Sequence, residues 1–284
     1  MKVEASFYEK HKDKLHCFLC PHNCLIKNNE WGKCKVRIHE DGVLYTINYG
    51  EITSAALDPI EKKPLHYYKP GTYIFSVGSF SCNLTCSFCQ NYTISQYKAK
   101  STFITKDNLV NTAINMENNI GLAFTYNEPS IWYEYVYDTA KLLKESSPSY
   151  SVALISNGYI SEEALKTLLP YLDAMNIDLK SYNNQYYKDI CGGRVTPVLK
   201  TIELAAKSCH VEVTTLLVSG ENDNLADIEN IAKFISSIDA NIPLHLNRYF
   251  PNYKFDKPPT DKELMFKGQE IAMKYLKRVK LGNI

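Results

Sequence analysis

The chain has 284 residues, of which 45% are hydrophobic and 22% are charged, a composition typical of a globular protein and not of a disordered one. Its 32 basic and 31 acidic residues leave a formal net charge of +1, so composition does not favour a nucleic-acid or membrane partner. The N-terminal segment 1–17 is charged where a signal peptide is apolar, and no run approaches the ~18 apolar residues of a membrane span. We therefore expect a soluble cytoplasmic protein.

The N-terminal quarter of the chain is predicted to form a small module of its own. It is rich in cysteine, and Asp41-Gly42 lies between the runs 35–38 and 43–47, which is typical of a β-hairpin turn. We expect this cysteine-rich hairpin module to span residues 1–70 and the main domain to span residues 71–284.

After Pro70-Gly71, short apolar runs alternate with amphipathic stretches of helical length. The predicted strands are Tyr73–Val77, Gly121–Phe124, Ser151–Ile155, Ala174–Leu179, Val211–Val218 and Leu244–Leu246. The predicted helices are Lys106–Asn118, Ser130–Glu145, Ser161–Leu169, Pro197–Ser208, Asp223–Ser236 and Asp261–Val279. Six strand–helix units indicate an α/β fold, a partial (β/α)6 TIM-like barrel with its chemistry at the carboxyl ends of the strands. A doubly wound open sheet is the structural alternative.

The cysteines are clustered. Of nine, seven fall in the segments 17–34 and 82–89, whereas a disulfide framework would distribute them along the chain. Clustered thiols in a cytoplasmic chain indicate metal. Two candidate sites follow, one in each segment.

The sharper candidate is formed by Cys82, Cys86 and Cys89, directly after the first predicted barrel strand. Three thiolates can hold a [4Fe-4S] cube and leave its fourth iron open for a small-molecule ligand. Buried, unligated cysteines are one alternative. The other is a zinc site completed by a distant donor, for which the chain offers Cys191, Cys209, His210 and His245.

At this segment the sequence resembles the radical S-adenosylmethionine (SAM) superfamily, whose motif is CxxxCxxC with an aromatic residue before the last cysteine, here Phe88. The resemblance implies that the open iron chelates the amino and carboxylate groups of SAM. It further implies that one electron from the cluster cleaves SAM to a 5′-deoxyadenosyl radical, the cofactor chemistry that the protein must orient and shield from water.

The resemblance continues at the ends of the next three predicted strands, where polar residues match SAM-binding segments of activating enzymes. The matching residues are Asn127, Glu128, Ser156, Asn157, Asp178 and Lys180. By this resemblance Glu128 and Asn127 hold the amino group of SAM, and the others contact its ribose and carboxylate. Each residue also has a simpler reading: a helix-start acid at Glu128, a turn at Asn157, and a local ion pair between Asp178 and Lys180.

A narrower resemblance covers nearly the whole chain, to the AmmeMemoRadiSam-system branch of relatives of pyruvate formate-lyase-activating enzymes. It is carried by the segments Cys17–Cys24, Trp31–Cys34, Asp58–Pro64, Cys89–Asn91 and Arg248–Pro251. It implies an oxidoreductase that abstracts hydrogen from a protein or peptide and takes electrons from a flavodoxin- or ferredoxin-like donor. Radical modification of a small molecule or of RNA is the alternative, as is a non-catalytic iron–sulfur or metal-binding protein.

The second cysteine cluster comprises Cys17, Cys20, Cys24 and Cys34. Four thiols suffice for a zinc ion or an auxiliary iron–sulfur cluster, with His22 as a substitute ligand. Reduced, packed thiols are the alternative, because free cysteines are often buried as small apolar side chains. The spacing alone does not choose between them.

Overall fold

The computed structural model describes residues 1–284. Its N-terminal region contains two three-stranded antiparallel sheets, in the orders β1-β6-β5 and β2-β3-β4. The six strands of these sheets are β1 (Val3–Glu4), β2 (Tyr8–His11), β3 (Lys14–Cys17), β4 (Cys24–Lys27), β5 (Arg37–Glu40) and β6 (Val43–Thr46), and a seventh strand, β7 (Glu51–Ile52), lies outside them. The hairpin at Asp41-Gly42 is present between β5 and β6, and both turn residues have positive φ, as a tight hairpin turn requires.

The central sheet contains eight of the remaining strands. The nine remaining strands of the chain are β8 (Ser54–Pro59), β9 (Tyr73–Gly78), β10 (Thr102–Phe103), β11 (Asn119–Phe124), β12 (Ser151–Ser156), β13 (Ala174–Asp178), β14 (His210–Leu217), β15 (Leu244–Arg248) and β16 (Val279–Gly282). The order is β16-β15-β14-β13-β12-β11-β9-β8, with β8 antiparallel to β9 and the others parallel; β10 pairs with β7 instead. The order never reverses, so the fold is an open partial barrel and not a doubly wound sheet.

All six predicted barrel strands are present, which confirms the α/β partial barrel. The helix predicted for 261–279 was too long: it ends at Ala272, and Val279 begins the seventh parallel strand, β16. Residues 279–282 form a strand because the edge of β15 is free to pair with them, and Val279 becomes buried opposite Leu244. The antiparallel strand β8 was also unforeseen, and it places residues 54–59 in the barrel sheet.

The helices follow the strands on the outside of the barrel. They are α1 (Tyr92–Ser95), α2 (Lys106–Asn115), α3 (Tyr133–Ser146), α4 (Glu162–Leu168), α5 (Asn184–Tyr186), α6 (Val195–Ala205), α7 (Leu225–Ile238) and α8 (Lys262–Ala272). Side-chain caps start several of them; the Ser161 hydroxyl, for example, accepts from the backbone N–H of Ala164. None of the helices is long and apolar enough to cross a membrane.

A separate small apolar cluster is buried in the barrel. Ala123, Ala153 and Ala174 pack there against Ile60 and Leu65, which come from the segment after β8. Below them the fully buried carboxylate of Glu212 accepts from the backbone N–H groups of residues 66 and 67 and from two histidines. The segment between β8 and β9 therefore closes the amino end of the barrel, and the cavity opens at the carboxyl end.

Candidate active site

One cavity of about 330 Å³ lies at the carboxyl ends of the parallel strands. Its wall contains all nine residues that the sequence predicts as cluster ligands or SAM contacts: Cys82, Cys86, Cys89, Asn127, Glu128, Ser156, Asn157, Asp178 and Lys180. Parallel strands bring the loops at their carboxyl ends to one edge, which is why segments almost 100 residues apart in sequence meet here.

The loop that carries the three thiols is held in place by the neighbouring strand end. Asn157, just after β12, donates from Nδ2 to the Asn83 Oδ1 (2.9 Å) and to the Cys82 Sγ (3.5 Å). Asn83 in turn donates to the carbonyl of Tyr159 at 2.7 Å. The Cys82 sulfur also accepts from the backbone N–H of Leu84 at 3.3 Å. Two N–H groups thus point at this sulfur, an arrangement that favours a thiolate.

The three thiols lie in different electrostatic surroundings. A hydrogen bond from the Cys191 thiol, followed by the charge of Lys180, lowers the pKa of Cys86. Burial raises the pKa of both Cys82 and Cys89. All nine cysteines of the chain are free thiols.

The three motif thiols do not surround a single metal ion in the free protein. No three His, Cys, Asp or Glu side chains converge closely enough to enclose one metal ion. A zinc ion holds each thiolate sulfur at about 2.3 Å from one centre, whereas the thiolates of a cube bind different iron atoms and lie farther apart.

The distant zinc donors do not reach the motif thiols from the far end of the barrel. Cys209, His210 and His245 lie at the opposite, amino end of the strands. Cys191 contacts the Cys86 thiol but packs behind the loop, with its carbonyl accepting from the Thr85 N–H.

Glu128 is fully buried, and its carboxylate joins two strand ends. Its Oε1 accepts from the Ser130 N–H (2.9 Å) and the Ser156 hydroxyl (2.7 Å), and its Oε2 accepts from the Asn157 N–H (2.8 Å). Burial raises the pKa of Glu128, while hydrogen bonds from Asn157 and Ser130 oppose the rise. The residue caps the 3-10 turn Pro129–Trp132, yet Oε2 has only one partner and can accept again.

Asn127 is engaged by the cysteine loop. Its Nδ2 donates to the carbonyls of Phe80 and Ser81, each at 3.1 Å, and its Oδ1 accepts from the N–H of Ser79 at 2.9 Å. Both amide donors are therefore used to shape the backbone that leads into Cys82. This geometry assigns Asn127 a bracing contact with the loop.

The ion pair between Asp178 and Lys180 is formed at the end of β13, with 2.9 Å between Oδ2 and Nζ. Burial alone would lower the pKa of Lys180, but the charges of Asp178 and Cys86 raise it well above its usual range. The ammonium also lies over the Phe88 ring, 5.8 Å from its centroid. Lys180 therefore brings a fixed positive charge to the cysteine side of the cavity, while Asp178 is 40% exposed.

Three residues that sequence reasoning did not place in the site are found together here: Asp58, Lys63 and Tyr126. The Asp58 carboxylate accepts from the Lys63 ammonium (2.7 Å) and from the Tyr126 hydroxyl (2.8 Å). Burial raises the pKa of Asp58, but these hydrogen bonds outweigh it and lower the pKa to about 2. Lys63 and Tyr126 line the cavity. The segment Asp58–Pro64 was the signal that could have pointed to them.

The four N-terminal cysteines lie near one another, beside the cluster loop. Cys17 and Cys24 are directly opposite in the β3–β4 pair. Burial, and next the nearby Cys34 thiol, raise the pKa of Cys20 to about 12. The Cys34 carbonyl accepts from the Ser81 hydroxyl at 2.6 Å, immediately before the first motif cysteine. The structure thus gathers these thiols but does not arrange them around a single ion.

His22 joins the same region to the motif, with its Nε2 2.7 Å from the carbonyl of Asn83. The N-terminal region therefore packs on the outer side of the cysteine loop, opposite the cavity.

Residues 77–235, from the end of β9 into α7, match the family model for the radical SAM superfamily. The chain belongs to the radical SAM superfamily. Membership implies a [4Fe-4S] cluster and SAM as the cofactors of this radical SAM protein. The matched segment includes the three cysteines and the strand ends that carry Glu128, Asn157 and Lys180.

Two relatives come from Methanocaldococcus jannaschii. One, an uncharacterised protein, is 42% identical over 289 residues, covering 99% of this chain and 85% of its own. The other, named as a candidate glycyl-radical enzyme activating enzyme, is 30% identical and covers 71% of this chain and 77% of its own. A radical SAM methyltransferase from Sphaerobacter thermophilus superposes with a TM-score of 0.60 at 13% identity, over 75% of this chain and 67% of that one. This last match supports the fold alone.

Proposed function

We propose that this radical SAM protein is an enzyme that cleaves SAM reductively and abstracts hydrogen from a protein or peptide. One observation carries the proposal: a single cavity collects three free thiols, the Glu128 carboxylate and the Lys180 ammonium at the carboxyl edge of a partial barrel. The relative named as a candidate activating enzyme supports a protein or peptide substrate.

In this proposal Cys82, Cys86 and Cys89 hold three irons of the cluster. When bound, the cluster would supply the single electron for the reductive cleavage of SAM. The chain's own residues orient SAM. The free lone pair of the Glu128 Oε2 accepts from its amino group, and Lys180 attracts its carboxylate.

The ends of β12 and β13 complete the proposed SAM site. The Ser156 hydroxyl is engaged by Glu128, and the Asn157 amide is engaged by the cysteine loop. These two residues would therefore shape the wall beside SAM, and the half-exposed Asp178 would reach its ribose hydroxyls. Asn127 would position the loop backbone.

We also propose that Cys17, Cys20, Cys24 and Cys34, which do not surround a single ion in the free protein, close around a zinc ion or an auxiliary iron–sulfur cluster when it binds. The proximity of the four thiols and the burial of Cys17, Cys20 and Cys34 support this, because a metal bound only by the folded protein adds its binding free energy to folding. A flavodoxin- or ferredoxin-like protein would supply the electron to the SAM cluster.

The test is anaerobic reconstitution with iron and sulfide, followed by reduction in the presence of SAM and measurement of 5′-deoxyadenosine. We expect the wild type and Cys209→Ala to release 5′-deoxyadenosine, since Cys209 lies at the far end of the barrel. Cys86→Ala should lose the cluster absorbance and the product, because two thiolates cannot hold a cube with an exchangeable corner. An unchanged cluster signal in Cys86→Ala would refute the site assignment.

Product analysis with candidate partners then separates the substrate classes. Hydrogen abstraction from a protein or peptide supports the proposal. Turnover of only a small molecule or RNA contradicts the substrate class but leaves SAM cleavage intact. Release of no 5′-deoxyadenosine at all would leave a non-catalytic iron–sulfur protein.

A further inference from the structure

Lys63 places a buried positive charge in the cavity wall. It follows the 3-10 turn Ile60–Lys62 after β8, and only 4% of its side chain is exposed. No residue of the proposed cluster or SAM site contacts its ammonium. Its two neighbours are the Asp58 carboxylate, at 2.7 Å, and the Tyr126 ring, whose centroid is 4.4 Å away.

The ammonium is incompletely satisfied by the protein. A lysine ammonium has three N–H donors, and one is used by Asp58. The Tyr126 ring faces the charge but accepts no conventional hydrogen bond. A buried charged donor without a partner is costly, so a group that enters the cavity and accepts from Lys63 gains free energy.

Tyr126 is held so that it reaches this charge. It follows β11 at the carboxyl edge, yet its hydroxyl reaches Asp58, which is paired with Ile74 near the start of β9. The side chain therefore runs into the barrel. Its backbone has φ 70°, in the left-handed region, and a Cβ on Gly78 would lie 3.0 Å from the Tyr126 Cβ. This strained conformation is retained beside the cavity.

The charges in this group set the kind of ligand. Lys62 also pairs with Asp58, at 3.2 Å, so two ammonium groups face one carboxylate and a single positive charge is in excess. That excess fits a monoanion. A carboxylate offers two oxygens to the free donors of Lys63, with the Lys62 charge nearby but 69% exposed and screened.

We propose that Lys63, positioned by Asp58 and Tyr126, is a substrate-binding residue that donates hydrogen bonds to a carboxylate inside the barrel. The substrate that reaches the SAM site thus carries a carboxylate, either as an acidic peptide side chain or as a small carboxylic acid. This inference rests on the proposed function and specifies its substrate.

The experiment measures binding by calorimetry to the reconstituted, SAM-loaded protein. The probes are acetyl-Asp-Gly-amide for an acidic peptide, N-acetylglycine for a small acid, and the neutral N-acetylglycinamide. We expect at least one acid to bind at least tenfold more tightly than the neutral amide. The acid that does so identifies the source. This comparison uses the unsubstituted protein and does not depend on a variant folding.

Variants then assign the preference to Lys63. Lys63→Met should reduce acid affinity at least tenfold, and Lys63→Arg should retain most of it. Lys62→Met removes the second ammonium of the cavity wall, and it should lose clearly less acid affinity than Lys63→Met because its side chain is 69% exposed and its charge is screened by solvent. Circular dichroism and cluster absorbance verify each variant's folding.

Three results would overturn the inference: equal affinity for the acids and the amide, equal losses in Lys62→Met and Lys63→Met, or loss of SAM binding itself in Lys63→Met. The last would place Lys63 in the SAM site. None of these depends on whether the wild type releases 5′-deoxyadenosine, so the proposed function fails or stands separately.

Discussion

The side-chain amide of Asn157 lies 3.5 Å from the sulfur of Cys82, across 75 residues of sequence. The same amide nitrogen donates to Asn83, and the Asn157 backbone N–H donates to Glu128. One residue thus connects the cysteine loop, the buried carboxylate and the end of β12. The proposed cluster and SAM sites share this contact, so a change at Asn157 should affect both.

Asn157→Ala should lower the reduction potential of the reconstituted cluster, because an N–H donor that stabilises charge on a cluster sulfur is removed. The potential is measured by redox titration with electron paramagnetic resonance detection. Asn115→Ala, on an exposed helix face, is the control and should match the wild type. A potential unchanged in both variants would mean that the amide does not contact the cluster ligand in the loaded protein.

Glu128→Ala should weaken SAM binding by about tenfold or more while the cluster still assembles, because an acceptor for the ammonium of SAM is lost but no iron ligand is. Stability should also fall by about 1–3 kcal/mol, since buried donors at Ser130 and Asn157 lose their partner. SAM titration and denaturant unfolding measure the two effects. Equal SAM affinity with reduced stability would show that Glu128 is only a helix cap.

Arg37→Met should reduce the free energy of unfolding by about 3–5 kcal/mol. Arg37 is 1% exposed and pairs with Glu134 of α3, so its loss leaves a buried carboxylate without its counter-charge. Urea unfolding is the measurement, and Lys200→Met, which breaks an exposed pair with Glu203, should cost under about 1 kcal/mol. The double variant Arg37→Met/Glu134→Met should be more stable than Arg37→Met; a further loss would contradict this explanation.

Acid should destabilise the amino end of the barrel through Glu212. Burial raises its pKa, but hydrogen bonds from His210 and His245 outweigh that and lower the pKa to about 2 from an ordinary 4.5. A depressed carboxyl pKa stabilises the fold above pH 4.5, and that stabilisation is lost as the pH falls towards 2. The loss should be roughly 3 kcal/mol. Thermal unfolding between pH 6 and 2.5 tests it, and Glu212→Gln should show a shallower acid dependence than the wild type.

Cys20→Ala should lower the thermal unfolding midpoint. It should also remove the metal that the wild type holds in addition to one [4Fe-4S] cube, while the SAM-cluster absorbance is retained. The reason is that metal binding at the N-terminal thiols would contribute directly to folding. Elemental analysis and calorimetry are the measurements, with Cys209→Ala as the control. A variant with unchanged metal content and wild-type stability would establish that these thiols are simply packed.

The family, the six strand–helix units and the three motif cysteines could all be predicted from the amino-acid sequence. These features are local: apolar periodicity specifies strands and helices, and three thiols within eight residues need no other part of the chain to be recognised. The sequence could not determine β16, because a short run such as 279–282 becomes a strand only when the edge of β15 is available to it.

The hydrogen-bond partners of most polar side chains in the cavity depend on the folded structure. The Asn127 amide donates to the backbone of the cysteine loop, a partner that no motif shows, whereas the ion pair between Asp178 and Lys180 was already one of the expectations from the sequence. The tertiary structure also brought Lys63 to Tyr126, residues 63 positions apart in sequence, by returning the segment after β8 beneath the barrel. Hydrogen bonds and ion pairs of this kind depend on distances across the fold, and parallel strands with long crossovers set those distances between segments remote in sequence.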